Sequence, residues 1–237
     1  MHYVMSDIHG HYQKYKEMLE KIDFSNDDTL YIVGDIIDKG EDSGNLLLDI
    51  ITDNRVVPMM GNHELMMIDA IADKEWLRDW FCNGAKKTIE QMENAGYKYE
   101  DIIEEVKKFP LIINDIKIND MNFYLCHARP VAGLENRKYY LNEMREMGIE
   151  YNILWSRQYA YEGYKNEILY TYHPNTYFLI GHTPTSHCSY LRKDEKKNPM
   201  ISIYPDNENK IINIVCGCAA NLRLGCIRLE DFAEFYT

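Results

Sequence analysis

Short apolar runs that end in residues able to bind a metal ion recur along the chain, and this recurrence limits the possible folds more than any other feature. The runs are rich in β-branched and aromatic residues, and segments of helical period separate the first of them. This alternation predicts an α/β protein that begins in β-α-β-α-β order. The predicted strands cover residues 3–5, 29–33, 55–60, 111–118, 122–126, 176–180, 210–215 and 225–229.

The predicted helices lie between and after these strands. Residues 12–22 and 45–51 separate the first three strands, residues 64–92 suit helices, and residues 101–109 form a helix that Pro110 ends. Two sheets packed against each other, with helices outside, would accommodate this many strands. No repeat or linker interrupts the chain, so we expect one domain over residues 1–237.

Composition excludes several classes of protein. With 46% hydrophobic and 27% charged residues, the chain is typical of neither a disordered protein nor a disulfide scaffold. A net charge of −12 leaves no basic surface that could follow a phosphate backbone, so we expect no bulk nucleic acid binding. No basic and apolar leader opens the sequence, and no apolar run is long enough for a membrane span, which predicts a cytoplasmic protein with no membrane partner.

Residue types that bind metals directly follow the predicted strands. In α/β proteins, the carboxyl ends of strands bring such residues to one place. The clusters are Asp7-Ile8-His9-Gly10, Gly34-Asp35-Ile36-Ile37-Asp38-Lys39-Gly40, Gly61-Asn62-His63-Glu64, Cys126-His127-Ala128 and Gly181-His182-Thr183. We therefore predict a single site to which all of these strand ends contribute.

The residue types in these clusters indicate a pair of divalent ions. Carboxylates and imidazoles bind Mn²⁺, Fe and Zn²⁺, and two adjacent ions need one carboxylate that bridges them. Asp35 is the predicted bridge, and Asp7 and His9, two residues apart, would share the first ion. The remaining candidates each follow a later strand and would complete the site of the second ion: Asn62, His127 and His182.

In this order the motifs D-x-H-G, G-D-x-x-D-[RK]-G, G-N-H-E, H-A and G-H-T resemble those of PPP-type metallophosphoesterases. These include serine/threonine protein phosphatases, the bacteriophage lambda-type protein phosphatase and symmetrical diadenosine tetraphosphate hydrolases. The resemblance runs from Ser6 to about Leu229. It implies a calcineurin-like fold, a two-sheet β-sandwich flanked by α-helices, and the same six metal ligands.

The resemblance also implies a reaction. Such enzymes hydrolyse phosphomonoesters by attack of a metal-bridging hydroxide, with Mn²⁺ as the expected ion and Fe or Zn²⁺ as alternatives. His63 is similar to their general acid, and Asp38 would hold its imidazole. The expected substrate is a protein that carries phosphoserine or phosphothreonine.

Basic residues are the candidates for binding the phosphoryl group, together with Asn62. Arg157 lies in Trp155-Ser156-Arg157, which is similar to the W-S-R stretch of the family, and Arg129 lies near His127. Lys39 stands where the family has arginine, and lysine offers a point charge in place of a two-pronged donor.

Two further sequence features bear on the site. Val215 stands where relatives commonly have aspartate, so a support for a metal-binding histidine is expected to be missing. Residues 139–177, within a tyrosine-rich segment that spans 136–177, hold nine of the chain's 19 tyrosines. Because this segment connects His127 to His182, we expect it to form one wall of the active-site cleft.

Two other functions remain open from the sequence. One is hydrolysis of diadenosine tetraphosphate or another nucleotide. The other is a pseudo-enzyme that binds phosphorylated partners without turnover, which the departures at Lys39 and Val215 allow. The full set of predicted ligands and the His63 and Asp38 pair argue against the pseudo-enzyme. Neither the substrate nor the oligomeric state follows from the sequence.

Overall fold

Two mixed β-sheets flanked by helices form the protein in a computed structural model that describes residues 1–160, 167–191, 197, 199–203, 208 and 210–237. The strands are β1 (His2–Met5), β2 (Thr29–Ile32), β3 (Val56–Pro58), β4 (Ile112–Ile118), β5 (Met121–Cys126), β6 (Lys138–Tyr139), β7 (Thr176–Ile180), β8 (Ser202–Ile203), β9 (Ile211–Asn213), β10 (Gly225–Arg228) and β11 (Glu234–Tyr236). The helices are α1 (Tyr12–Lys21), α2 (Ser43–Thr52), α3 (Asn62–Asp69), α4 (Lys74–Cys82), α5 (Ala85–Asn94), α6 (Tyr99–Val106), α7 (Leu141–Glu146), α8 (Glu150–Trp155) and α9 (Glu167–Tyr172).

The strand order explains how the site is assembled. The first sheet has the order β11-β10-β1-β2-β3, and β1, β2 and β3 run parallel. The second has the order β6-β4-β5-β7-β9-β8, in which β5, β7 and β9 run parallel. Parallel neighbours end at the same edge, so the loops after β1, β2 and β3 meet, as do those after β5 and β7.

Apolar side chains from both sheets fill the space between them. Val4 and Ile227 of the first sheet belong to one buried cluster with Phe123, Leu125 and Leu179 of the second. A larger cluster, from Tyr3 to Cys226, joins the outer faces of the sheets to the helices. These contacts confirm the predicted two-sheet sandwich, and they support the proposal of one domain.

All eight predicted strands are present, with ends that differ by up to two residues. The short strands β6, β8 and β11 were not predicted, because two or three residues carry too little period to be recognised. The predicted helical region 64–92 is divided into α3, α4 and α5, and residues 139–177 contain α7, α8 and α9 as well as β6. No helix within the described ranges is long and apolar enough to cross a membrane.

Candidate metal centre

The six predicted metal ligands lie together in a buried cluster at the carboxyl ends of strands from both sheets. None is more than 6% exposed. Asp7 and His9 follow β1, Asp35 follows β2, Asn62 begins α3 after β3, His127 follows β5, and His182 follows β7.

Two loops of the first sheet are fastened to each other by backbone hydrogen bonds. The Asp7 N–H donates to Gly34 O at 3.1 Å, and the His9 N–H donates to Asp35 O at 2.9 Å. Gly34 has a φ of 77°, and a Cβ on it would lie 2.6 Å from the Gly61 Cα, so only glycine lets these loops approach. Asp7, His9 and Asp35 also have positive φ, with values of 52°, 48° and 53°.

Asp35 lies between two groups of potential ligands, and each of its carboxylate oxygens faces a different group. Asp35 Oδ2 lies 3.4 Å from His9 Nε2, and Asp35 Oδ1 lies 3.4 Å from His127 Nε2. The ligand atoms of Asp35, His9 and His63 lie within 4.8 Å of one another, and so do those of Asp35, His127 and His182. This is the arrangement that a bridging carboxylate requires.

Asp7 and Asn62 complete the two groups. Asp7 Oδ1 lies 3.9 Å from His9 Nε2, on the first side of Asp35. Asn62 Oδ1 lies 2.9 Å from His182 Nδ1 and 3.1 Å from His127 Nε2, on the second side. The structure therefore places Asp7 with His9, and Asn62 with the two later histidines.

Backbone carbonyls orient two of the imidazoles so that Nε2 can bind a cation. His9 Nδ1 lies 3.1 Å from Ile37 O, and His127 Nδ1 lies 2.9 Å from Val33 O. A proton on Nδ1 that is held by a carbonyl leaves the Nε2 lone pair for a metal ion. The buried imidazoles, carboxylates and amide oxygen of this cluster fit divalent transition metals.

The pKa values show how the buried carboxylate and imidazoles of the cluster affect one another. Burial alone would raise the pKa of Asp35, but the charges of His127 and His63 outweigh burial and bring it well below its ordinary value. Burial opposes the charged form of His127, yet the Asp35 charge raises the pKa of His127 to about 9. Burial, followed by the charge of His127, lowers the pKa of His182 to about 3. A cation that binds here would displace the His127 proton.

His63 and Asp38 form a buried pair beside this cluster. His63 Nδ1 lies 2.7 Å from Asp38 Oδ2, whereas His63 Nε2 lies 3.9 Å from Asp35 Oδ2. Burial lowers the pKa of His63, but the charges of Asp35 and Asp38 outweigh burial and raise it. One ring nitrogen is thus held by Asp38, while the other faces the predicted ligands.

A cavity of about 570 Å³ opens onto the cluster. Asp7, His9 and His182 lie at its base, and the basic side chains of Lys39 and Arg157 contribute to its lining. The remaining wall consists mainly of small or short side chains: Thr183, Pro184, Ser186, His187, Val215, Gly217, Ala219 and Ala220. A group in the cavity is therefore exposed both to positive charge and to the predicted ligands.

Residues 3–211 match the family of calcineurin-like phosphoesterases. The chain belongs to this family. Over 128 residues it is 27% identical to a symmetrical bis(5'-nucleosyl)-tetraphosphatase of Haemophilus influenzae, which covers 53% of this chain and 43% of that protein. It is 28% identical over 127 residues to serine/threonine-protein phosphatase 2 of Salmonella typhimurium, which covers 53% of this chain and 57% of that one. The matches thus span about half the length of these relatives.

The fold of this phosphoesterase is shared with solved phosphatase structures. A cold-active protein tyrosine phosphatase superposes with a TM-score of 0.62 at 17% sequence identity, over 99% of this chain and 78% of the other. At this identity the likeness concerns the fold. Membership of the PPP type, predicted from the motifs, is confirmed by the two relatives named above.

Three predicted substrate-binding residues of this phosphoesterase differ in their placement. Arg157 lines the cavity, and its guanidinium donates to Thr183 Oγ1 at 3.2 Å. Lys39 Nζ lies 3.2 Å from His9 Nε2, at the first group of ligands. Among the described residues that line this cavity, Arg129 does not occur. Its backbone N–H donates to Ile153 O, so the geometry favours Arg157 over Arg129.

The tyrosine-rich segment reaches the site, but not through its described tyrosines. Arg157 lines the cavity, and the Trp155 ring lies 6.3 Å from the His182 ring. No tyrosine from the described part of the segment lines the cavity, and Tyr139 and Tyr159 are buried in the core. The described tyrosines therefore do not line the cavity, whereas Arg157 does, and the wall formed by the whole segment stays a prediction. Residues 161–166, which include two more tyrosines, lie outside the described ranges.

Val215 lines the same cavity as His182, and its apolar side chain offers no acceptor to an imidazole. A different residue, Asn213, supports this region: its side-chain amide donates to Thr183 O at 2.8 Å, and its Oδ1 accepts from the Val215 N–H at 2.9 Å. Sequence reasoning missed Asn213, because nothing local distinguishes it from any other strand-end asparagine.

Glu64 is a second residue that sequence reasoning left without a role. Its Oε2 accepts from the N–H groups of Asp35 and Gly61 at 2.9 and 2.8 Å, and its Oε1 accepts from the Ile36 N–H at 2.9 Å. Burial and the Asp35 charge raise the pKa of Glu64 to about 7. The side chain ties the loop of the predicted bridging ligand to the start of α3. Its place within Gly61-Asn62-His63-Glu64 was the available signal.

Proposed function

We propose that this phosphoesterase hydrolyses phosphomonoesters with two divalent ions, Mn²⁺ by preference, held around Asp35. The observation that carries the proposal is that Asp35 presents its two oxygens to separate groups of ligands, directly beside the His63 and Asp38 pair. The first ion would be held by Asp7, His9 and Asp35, and the second by Asp35 and the three remaining candidates, Asn62, His127 and His182. Divalent ions at such a site lower the pKa of water and offset the charge of a phosphoryl group.

His63 is the proposed general acid. Its Nδ1 is held by Asp38, so a proton on Nε2 would face Asp35 Oδ2, which lies 3.9 Å away in the ligand cluster. When the phosphoester bond breaks, this proton would pass to the leaving oxygen, which otherwise departs as an unstable alkoxide. The raised pKa of His63 keeps the ring protonated at higher pH than a free imidazole, which suits this role.

Arg157 and Lys39 are proposed to hold the phosphoryl oxygens, with Asn62 beside them. A monoester group carries close to two negative charges at neutral pH, and the two basic side chains lie at the mouth of the cavity. Lys39 lies against His9, so it is placed to offset charge at the first group of ligands.

The proposed substrate is phosphoserine or phosphothreonine in a protein. The relative named serine/threonine-protein phosphatase 2 supports this choice. The small side chains along one cavity wall, among them Gly217, Ala219 and Ala220, leave room for a peptide backbone beside the phosphoryl group. The described cysteines are free thiols, which agrees with the proposed cytoplasmic location.

The proposal is tested by assaying the purified, Mn²⁺-loaded protein on a phosphoserine peptide, diadenosine tetraphosphate and p-nitrophenyl phosphate, with metal content measured by elemental analysis. We expect two ions per chain, hydrolysis of the peptide and of p-nitrophenyl phosphate, and loss of both activities on chelation. Binding of the phosphopeptide without turnover of any substrate would instead establish a pseudo-enzyme.

A dinucleoside tetraphosphate is the second candidate substrate, favoured by an exposed aromatic side chain near the site. Tyr151 is 63% exposed and stacks on Trp155 with ring centroids 6.0 Å apart, and Trp155 in turn contacts the His182 ring. The relative named as a symmetrical bis(5'-nucleosyl)-tetraphosphatase points to the same class of substrate. An open aromatic face at this distance could stack on a nucleobase.

Tyr151→Ala distinguishes the two candidates. If a nucleobase stacks here, we expect KM for diadenosine tetraphosphate to rise about 5- to 100-fold, in line with the roughly 1–3 kcal/mol that such stacking contributes. The kcat for p-nitrophenyl phosphate should stay unchanged, because the small substrate does not extend to Tyr151. Tyr172→Ala, which removes another tyrosine that is 60% exposed, is the matched control. An unchanged KM for the dinucleotide would remove the reason to prefer nucleotides.

A further inference from the structure

We propose that Trp80 and Thr88 are positioning residues: they fix the orientation of Asp38, and Asp38 in turn orients the general acid His63. Trp80 Nε1 donates to Asp38 Oδ2 at 2.9 Å, and Thr88 Oγ1 donates to Asp38 Oδ1 at 2.9 Å. Asp38, Trp80 and Thr88 are each 0% exposed. The inference rests on the proposed function, in which His63 donates a proton.

The two donors leave Asp38 one orientation. Oδ2 accepts from Trp80 and also faces His63 Nδ1, while Oδ1 accepts from Thr88. With a hydrogen bond on each oxygen, the carboxylate cannot rotate without breaking one of them in a buried environment. The direction of the Oδ2 lone pair that faces His63 is thereby fixed, and with it the ring plane of the imidazole.

The backbone at Asp38 has an unfavourable conformation that contacts from elsewhere must stabilise. Asp38 lies in the loop after β2 with a φ of 71°, followed by Lys39 with a φ of 62°, a conformation that costs a non-glycine residue about 1 kcal/mol or more. The two donors come from other elements, Trp80 from α4 and Thr88 from α5. The loop that carries Asp38 is therefore held by two helices that contribute no predicted metal ligand.

The turn between these helices packs directly on the same loop. Gly84 joins α4 to α5 with a φ of 113°, and a Cβ on it would lie 2.6 Å from the Lys39 nitrogen and 3.3 Å from the Asp38 Cβ. A glycine is thus required for α4 and α5 to approach Asp38 this closely. This contact is independent of the two hydrogen bonds, and it also holds α4 and α5 against the loop that carries Asp38.

Packing alone does not explain why the Trp80 N–H and the Thr88 hydroxyl both point at Asp38. A buried tryptophan that only filled space would need some acceptor for its N–H, but a backbone carbonyl would serve as well. Here both polar atoms converge on one carboxylate, and that carboxylate orients the imidazole that faces the ligand cluster.

The test compares substrates that differ in their need for protonation. Thr88→Val removes the hydroxyl with little change in volume, Thr88→Ser retains it, and Trp80→Phe removes the N–H. We expect Thr88→Val and Trp80→Phe to lower kcat on β-glycerophosphate about 10-fold, a part of the roughly 10²–10⁴-fold that a general acid contributes. The kcat on p-nitrophenyl phosphate, whose phenolate leaves unaided, should fall less than about 2-fold, and Thr88→Ser should behave as wild type.

Controls separate this role from general stability. Thr176→Val makes the same change at another buried threonine, whose hydroxyl donates to Pro174 O, and should alter neither rate. Metal content and thermal unfolding are measured for every variant. If Trp80→Phe does not fold, the two Thr88 variants still decide the question. In the proton NMR spectrum, the low-field Nδ1 signal that His63→Asn removes should be kept in Thr88→Ser and broadened in Thr88→Val.

A double-mutant cycle completes the test. In the His63→Asn background, Thr88→Val should cause no further loss on β-glycerophosphate, because the residue through which it acts is absent. Equal losses on both substrates in Thr88→Val, or additive losses in the double variant, would overturn the inference while leaving the phosphatase activity established. A wild-type protein that hydrolyses neither substrate would overturn the proposed function itself.

Discussion

Asp35→Asn is expected to cause the largest loss of activity of any single substitution at the site, roughly 10³-fold or more in kcat, which corresponds to several kcal/mol of transition-state stabilisation. The carboxylate offers one oxygen to His9 and the other to His127. Asparagine keeps the size of the side chain but replaces one oxygen with an amide that donates hydrogen bonds and cannot bind a cation. Both groups of ligands therefore change at once.

The measurement pairs kcat for p-nitrophenyl phosphate with the metal content of the same preparation. We expect Asp35→Asn to retain fewer than two ions per chain, whereas Asn62→Ala and His9→Ala, which remove ligands from one group each, should be less impaired. Asp115→Asn, at an exposed position in β4, is the control for a change of one charge. Near wild-type turnover of Asp35→Asn with two ions bound would show that Asp35 is not the bridge.

The second large effect is expected from His63→Asn and depends on the leaving group. Hydrolysis of β-glycerophosphate should slow by about 10²–10⁴-fold, because its alkoxide needs a proton, and hydrolysis of p-nitrophenyl phosphate should slow far less. Asparagine can still hydrogen-bond to Asp38, which keeps that buried carboxylate from losing a partner.

The pH dependence offers a separate check on His63. The ring must be protonated to act, so kcat on β-glycerophosphate should fall as the pH rises through the raised pKa of His63 in the folded enzyme. His63→Asn should lack this fall, and His2→Asn, at a histidine that pairs with Glu230 far along the chain, should retain it. Equal losses on both substrates, with an unchanged pH profile, would indicate a structural role.

The ligand cluster was predictable because the signal for it is local. Each ligand directly follows an apolar run, and the order of the motifs limits the family to one fold. Strands of four or more residues were found for the same reason, whereas β6 and β8, with two residues each, were not. Two residues at a sheet edge carry no periodicity that distinguishes them from a loop.

The partners of Asp38 could not be predicted, because their signal is not local. Trp80 and Thr88 lie 42 and 50 residues further along the chain, in helices where both fit an ordinary amphipathic pattern. An apolar helix face accounts for the burial of Trp80, but the pattern is silent on where its N–H points. Only the packing of α4 and α5 on the loop after β2 reveals it.

Which tyrosines of residues 139–177 are exposed could not be predicted, for a related reason. A tyrosine can be an exposed aromatic surface or a buried ring with a satisfied hydroxyl, and composition does not separate the two. Tyr139 and Tyr159 are 3% and 2% exposed, and Tyr124, outside the segment, is equally buried. Trp155, which does contact His182, was quoted only as part of the stretch that carries Arg157.

The predicted ligands follow strands of both sheets, and this has a consequence for folding and for resistance to proteolysis. Asp7, His9, Asp35 and Asn62 follow strands of the first sheet, whereas His127 and His182 follow strands of the second. A chain in which only β1, β2 and β3 have formed holds an incomplete set, so tight binding of an ion at the proposed site would require that the second sheet has docked. Ions bound as proposed would connect the two sheets, and we expect chelation to make the chain between the sheets more accessible to proteases.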